Sequence, residues 1–360
     1  MGSAPFSHGR VGLMRKMHEM EALVRLGEGL ERGPEHAMQA MSDLLRVRDR
    51  QGRMRSLRAN PAQARFERGR GRENVVLKAR QMGISTWVTG RFFLKTITQP
   101  GTLTLQVAHT RETAEALLGL ARRMWEELPE ALRKGPLQLE RSNTGQMVFG
   151  EIGSEIRVAS ASDGNAGRGL SVQNLHLSEV GRWHGDAAAT MAGLRAALAP
   201  GGEMVVESTP SGAYGAFYEA WRSGVDAGRG VRGEPTLTGG EAAGEDGAPG
   251  LPGGMVRHFL PWWLEPAYTG VGVGSALWTA EERLLVERHG LTPGQIGFRR
   301  GLESRYGALR TQEFAEDPET CFRATGSCCF ELEVLERRLT ELPEPMIRRR
   351  NGLCRSGCRP

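Results

Sequence analysis

An α/β fold built on a mostly parallel sheet with helices on both faces is what this sequence predicts, and three observations predict it. Short apolar runs alternate with amphipathic ones along the middle of the chain, the pattern of strand–helix–strand units. Lys78, Ser178 and Ser208 each stand at the end of such a run, where a parallel sheet presents its ligand-binding edge. The 360 residues suffice for one large α/β domain with appendages, or for two domains.

Taken in order, residues from Val11 to about Leu57 read as helical, with Leu13, Met17, Met20 and Leu23 at helical spacing and Gly27, Gly29, Gly33 and Pro34 dividing the run in two. Asn60-Pro61-Ala62-Gln63 turns into a short helix. Strands come next at Val75–Leu77, Thr102–Ala108, Glu155–Ala159 (with Gln146–Phe149 as a hairpin partner), Val172–Leu177 and Glu203–Glu207. Between and after them, Trp87–Lys95, Arg111–Leu128, Ala187–Leu198 and Tyr214–Trp221 read as helices. Gly224–Gly254 is rich in Gly, Glu, Pro and Ala and lacks the apolar surface to order itself. Met255–Leu260 reads as one more strand, and Thr279–His289 and Pro293–Ala308 as helices, the second opened by a Thr292 cap and a proline at its first position. The expected organisation is a helical basic lead-in (1–58), a core (59–224), a flexible Gly/Pro/Glu-rich loop (225–254), the end of the core domain with a helical linker (255–330) and a truncated tail (331–360).

Composition excludes several classes. No apolar run approaches the ~20 residues that span a bilayer, and Met1–Arg10 lacks the apolar core of a signal peptide, so a cytoplasmic protein with no membrane partner is expected. The five cysteines then read as free thiols, although Cys354 and Cys358 could begin a zinc site for which no second pair has ligand spacing. The net charge of +5 is unevenly spread: between Arg46 and Arg72 lie Arg48, Arg50, Arg53, Arg55, Arg58, Arg65, Arg68 and Arg70, opposed by Asp49 and Glu67. Such a cluster suits contact with a polyanion, and equally a solvated helix face.

The chemistry concentrates in three stretches. Lys78-Ala79-Arg80-Gln81-Met82-Gly83-Ile84-Ser85-Thr86 joins a strand to a helix, so loop N–H groups and a helix N-terminus converge on one anion site. Against the phosphate-loop pattern G-x-x-x-x-G-K-[ST], Gly83 fills the second glycine and Ser85 the hydroxyl, but Ile84 replaces the lysine and Lys78 the first glycine. Lys78 can supply the ammonium from the other side of the loop, and Arg80 a second cation acting in cis on the transferred phosphate. An ordinary strand–turn–helix fits the same nine residues. In the second stretch, Val172–Val180, the strand ends in Ser178-Glu179 where a nucleotide hydrolase would use an acidic pair, Asp-Glu: Glu179 can orient and deprotonate a water, while Ser178 can hold a metal only weakly, directly or through water. The third, Val205–Gly212, ends a strand in Ser208-Thr209-Pro210, hydroxyls beside a segment that Pro and Gly free to move.

The combination K-x-R-Q-x-G-x-S-T, then Ser-Glu after a His-Leu strand, then Ser-Thr-Pro-x-Gly resembles the ATPase part of the large terminase subunits of tailed bacteriophages, over about Asn60–Trp221 and more loosely through Gln312-Glu313-Phe314 and Asp317-Pro318-Glu319 to Phe330. The resemblance implies a P-loop NTPase that binds ATP and Mg²⁺ and translocates double-stranded viral DNA into a procapsid. Its partners would be a portal protein and a small terminase subunit, with the chain acting as a homo-oligomeric ring in the host cytoplasm. It assigns phosphate binding to Lys78–Thr86, the adenine edge to Gln63, Mg²⁺ to Ser85 and Ser178, catalysis to Lys78, Arg80 and Glu179, and coupling to Ser208, Thr209 and Pro210. The family's RNase H-like nuclease needs several carboxylates, mostly Asp, on separate strands. After residue 250 the only aspartate is Asp317, so no nuclease activity is expected in this chain. Two alternatives stand beside this reading: another P-loop nucleic-acid ATPase such as a helicase, and a non-catalytic prophage remnant that binds DNA.

Overall fold

The computed structural model describes residues 21, 23–226, 254–322 and 338. The chain divides into units 1–325 and 326–360, and every strand and the candidate site belong to the first. Met1–Arg10, most of the loop 225–254, and the tail with Cys328, Cys329, Cys354 and Cys358 lie outside the described residues.

Eleven strands are described: β1 Arg46–Arg48, β2 Met54–Ser56, β3 Glu73–Lys78, β4 Leu103–Ala108, β5 Arg141–Ser142, β6 Gln146–Phe149, β7 Ser154–Ser160, β8 Val172–Ser178, β9 Leu198–Ser208, β10 Val225–Asp226 and β11 Val256–Leu260. Nine form one sheet in the order β10-β11-β3-β9-β8-β4-β7-β6-β5. All neighbours from β10 through β7 run parallel, and β6 and β5 add an antiparallel edge. The α/β class expected from the alternating pattern is the one found. The loop strand β3 lies beside β9, and β8 is one strand further on, so the three strand tips of the sequence motifs are neighbours although about a hundred residues separate the first from the second.

Side chains alternate across the sheet. Val75, Leu77, Leu175, Leu177, Met204 and Val206 face one core with Phe217 and Trp221 of helix Gly215–Ser223. Val76 and Val205 face the other, with Trp87, Phe92 and Phe93 of helix Ile84–Thr98. That helix is buried almost all round. Its charged residues are therefore paired: Arg91 reaches Glu203 (2.9 Å) and Glu67 (2.8 Å), and Lys95 reaches Glu203 (3.1 Å). Burial raises the Glu203 carboxyl's affinity for a proton, but Arg91 and Lys95 outweigh it and bring the pKa down to about 2. This buried network ties the helix to the middle of β9 and to helix Pro61–Gly69.

The helix starts match their caps. Asn60 and Gln63, Thr279 and Glu282, and Thr292 and Gln295 each form a capping box, the first and third with proline at the helix start. The expectation that helix runs to about Leu57 is corrected. Helix Pro34–Leu44 ends, and the arginine-rich residues after it form the hairpin β1–β2. Asp49 Oδ1 accepts the N–H groups of Gln51 and Arg53 (both 2.9 Å), and Gly52 takes φ 78°, which closes a turn that a continuous helix cannot make. The first half of the arginine cluster, Arg46 to Arg55, therefore lies on a hairpin and its turn, while Arg65 and Arg68 lie on helix Pro61–Gly69.

Candidate nucleotide site

The β3–helix loop is held from outside, carbonyl by carbonyl. Tyr268 Oη donates to Arg80 O (2.8 Å), Arg50 Nη2 to Gln81 O (3.1 Å), Asn60 Nδ2 to Met82 O (3.1 Å) and Gln63 Nε2 to Gly83 O (2.8 Å). Helix Ile84–Thr98 starts after Gly83 with no side-chain cap, so its first-turn N–H groups are left to an anion. Gly83 is required twice over. Its φ is 73°, and a Cβ there would come within 2.6 Å of Gln63 Nε2. Among the described residues the non-glycine positions with positive φ are Gln81 (52°) and Glu179 (53°), one in each loop facing the site. Such strain concentrates where function fixes the backbone.

Three charged side chains meet on the sheet face under this helix. Lys78 Nζ lies 2.8 Å from Glu179 Oε1 and 3.0 Å from Glu207 Oε2. Burial works against the ammonium, but the carboxylates of Glu207 and Glu179 outweigh it and hold its pKa above the ordinary lysine value. Burial likewise works against the Glu207 carboxylate, yet Lys78 and then His176 and Ser85 hold it well below the usual carboxylate range. Glu207 Oε1 accepts the hydroxyls of Ser85 and Ser178, both at 2.7 Å, and lies 3.4 Å from His176 Nε2. His176 Nδ1 is 3.0 Å from Gln106 Oε1, which also accepts Thr89 Oγ1 (2.8 Å), so a buried polar chain runs from the helix to Glu207.

Past β8 the chain turns sharply at Glu179. Gly181 N donates to Ser208 Oγ (3.1 Å), and a Cβ on Gly181 would stand 2.8 Å from that oxygen. The carboxylate loop and the Ser208-Thr209-Pro210 segment therefore touch, and Thr209 Oγ1 is buried with no hydrogen-bond partner. Residues Val180–Ala188 wall a cleft of about 620 Å³ with His109, Ser211 and Tyr214–Phe217, beyond the carboxyl ends of β4, β8 and β9.

Of the residues singled out from the sequence, Lys78, Ser85, Ser178 and Glu179 come together. Ile84 is 1% exposed in the core, so a lysine there would be driven into apolar packing; the ammonium found beside the loop is that of Lys78. Ala79 and Met82 are buried beneath the loop. Arg80 is half-exposed and its Nη1 pairs with Glu313 Oε2 at 3.2 Å. Glu313 in turn meets Arg182 (3.3 Å), which lies 3.8 Å from Glu179 Oε2. Gln63 is engaged at both ends of its amide: Oε1 accepts Asn60 N (2.9 Å) and Nε2 holds Gly83 O, so an adenine contact would have to displace the loop's own support. Sequence reasoning missed Glu207, His176, Arg182 and Glu313. A glutamate inside an otherwise apolar buried strand was the available signal for the first, because such a carboxylate demands a partner.

The oxygen-rich set suits a hard divalent cation, with two hydroxyls on one carboxylate and Glu179 Oε2 buried without a hydrogen-bond partner. No group of three or more His, Cys, Asp or Glu with metal-holding geometry occurs among the described residues. Mg²⁺ at phosphate sites is commonly held by one or two carboxylates plus the substrate's own oxygens. Also among the described residues, no helix is long and apolar enough to cross a membrane.

A parallel sheet with an uncapped helix N-terminus, a buried ammonium and a facing carboxylate at its strand tips defines the anion-binding α/β class. Among solved structures, the chain is similar to the large terminase ATPase domain of Thermus phage P74-26 (TM-score 0.44, 17% identity, covering 70% of this chain and 91% of that one). It is also similar to the large terminase of bacteriophage HK97 (TM-score 0.42, 19% identity, 49% and 37%) and to that of a thermophilic bacteriophage in complex with ADP (TM-score 0.32, 10% identity, 41% and 36%). No protein-family model and no curated protein matches.

Proposed function

We propose that this chain hydrolyses ATP as the motor part of a phage-type large terminase, driving double-stranded DNA into a procapsid. The observation that carries the reading is the meeting of Lys78 with Glu179 at 2.8 Å, from strand tips 101 residues apart, beside a helix N-terminus open to phosphate. The motif resemblance supplies the DNA, the portal and small-subunit partners, and the ring.

In this reading the first-turn N–H groups and Lys78 bind the β- and γ-phosphates. The ammonium then exchanges carboxylate oxygens for phosphate oxygens, and Glu179 is left beside Arg182, able to orient a water and take its proton. Ser85, supported by Ser178, would hold Mg²⁺, which when bound neutralises charge on the phosphates. Arg80 would swing from Glu313 toward the developing charge. Ser208, bonded to Gly181 N just past Glu179, would carry the change at the carboxylate into the Thr209-Pro210 segment.

The test is Glu179→Gln. It should bind ATP with affinity close to that of the parent while phosphate release, measured with malachite green with and without DNA, falls ~10²–10⁴-fold, the usual worth of a general base. Full DNA-stimulated turnover in this variant would remove Glu179 from the reaction. A parent chain that releases no phosphate under any condition would overturn the motor reading.

A further inference from the structure

We propose that Glu207 is the positioning residue for the divalent cation of this site, acting through Ser85, and that it stands in from the neighbouring strand for an acidic group that position 178 does not supply. The proposal rests on the ATP-hydrolysing reading above, in which Ser85 holds the metal.

Four observations carry it. Ser178 and Glu207 are register partners across β8 and β9, so a carboxylate at 207 reaches the space that an acid at 178 would serve. Glu207 Oε1 accepts the single hydroxyl proton of Ser85 at 2.7 Å, which leaves only acceptor lone pairs on that oxygen for a cation. The carboxylate is fully buried, and its orientation is fixed by Ser178 at 2.7 Å and by the His176–Gln106–Thr89 chain behind it. Charge completes the case. Glu179 and Glu207 share the single ammonium of Lys78, and if the triphosphate takes that ammonium, Glu207 is left buried and in need of another positive charge. A role as counter-ion to Lys78 alone accounts for Oε2, but not for the two hydroxyls gathered on Oε1.

The experiment compares ATP affinity in EDTA and in Mg²⁺, by calorimetry on the full chain, for the parent, Glu207→Gln and the double variant Glu207→Gln with Ser178→Asp. The readout is the ratio of the two affinities. Glu207→Gln should lose at least ~10-fold of the Mg²⁺-dependent gain, the usual cost of removing a group that orients a metal ligand, with its EDTA affinity unchanged or raised. Ser178→Asp should restore the gain by returning the acid to β8. A merely structural role would weaken both affinities together and leave the ratio intact, and that result overturns the proposal. Because the double variant keeps the charge count, it decides the matter even if Glu207→Gln fails to fold. If the double variant folds and lacks the gain, the proposal falls. A parent that binds ATP with a Mg²⁺-dependent gain, beside an unaffected Glu207→Gln, sinks this inference alone, whereas a parent that binds no ATP sinks the function reading with it.

Discussion

Replacing Lys78 by methionine keeps the length of the side chain and removes the ammonium that stands 2.8 Å from Glu179 and 3.0 Å from Glu207. Two carboxylates are then left facing each other, one of them at 0% exposure. Removing one partner from a buried ion pair costs about 3–5 kcal/mol, because the surviving charge keeps its desolvation penalty and loses its compensation. At an unfolding entropy of about 2.1 cal/mol/K per residue over the 275 described residues, that cost lowers the melting temperature by about 5–9 °C. Glu207→Gln in the same chain should recover at least half of the loss, since only Glu179 then lacks a cation and Arg182 lies 3.8 Å from it. Thermal melts followed by circular dichroism at pH 7 decide. A Lys78→Met protein melting within about 1 °C of the parent, or a double variant less stable than the single, would show that the three charges do not form one unit.

Two further outcomes are expected from the same geometry. Gly83→Ala forces a Cβ to within 2.6 Å of Gln63 Nε2 at φ 73°, so ATP affinity should fall at least tenfold, and Gln63→Ala added to it should recover part of that loss by making room. His258 is buried on β11, 3.0 Å from Asn74 Oδ1. Burial, and then Arg65, pull its pKa from 6.5 to about 4. The unfolded chain therefore binds this proton first as pH drops. The stabilisation is whole above pH 6.5 and is lost as pH falls toward about 4, by up to about 3 kcal/mol. Urea titrations of the parent and of His258→Asn should diverge in that window. Parallel curves there would contradict a buried neutral imidazole. Glu203, held at about 2, adds its own loss only below about pH 4.5, so between pH 6.5 and 4.5 the His258 effect is read by itself.

Most of the sheet was legible because a parallel strand buried on both faces announces itself as an apolar run: Val75–Leu77, Thr102–Ala108 and Val172–Leu177 fall on β3, β4 and β8 with ends shifted by a residue or two. The capped helix at Thr292-Pro293 was legible for the same kind of local reason. The hairpin β1–β2 was not. Its two strands are three residues each, and the arginine run obscured the Asp49–Gly52 turn. Gln63 shows another limit. Its capping-box spacing from Asn60 was visible, yet its grip on Gly83, twenty residues on, depends on a tertiary approach that no local pattern encodes.

The two departures from the expected motif have one physical explanation. Ile84 occupies the lysine position because the first turn of its helix faces the core there, while β3 ends in a side chain that reaches the same side of the sheet as Ser85 and Glu207. Ser178 leaves an acid missing from β8, while its register partner on β9 is a buried glutamate bonded to it. In both cases a charge missing at one motif position is present on an adjoining backbone tip. For the acid, Ser178 and Glu207 are register partners on parallel strands ~4.8 Å apart, well within the reach of a glutamate side chain, so the exchange is sterically cheap across the sheet and looks like a loss when the chain is read lengthwise. A pattern search along one strand scores Lys78 and Glu207 as mismatches or not at all. Read across the register β3–β9–β8, the chain gives the ammonium of Lys78, the buried acid of Glu207 and the Ser178 hydroxyl bonded to it, with the part-buried Glu179 carboxylate just past β8. Exchanging the acid back between Glu207 and Ser178 tests whether position in space, rather than position in the motif, is what the site requires.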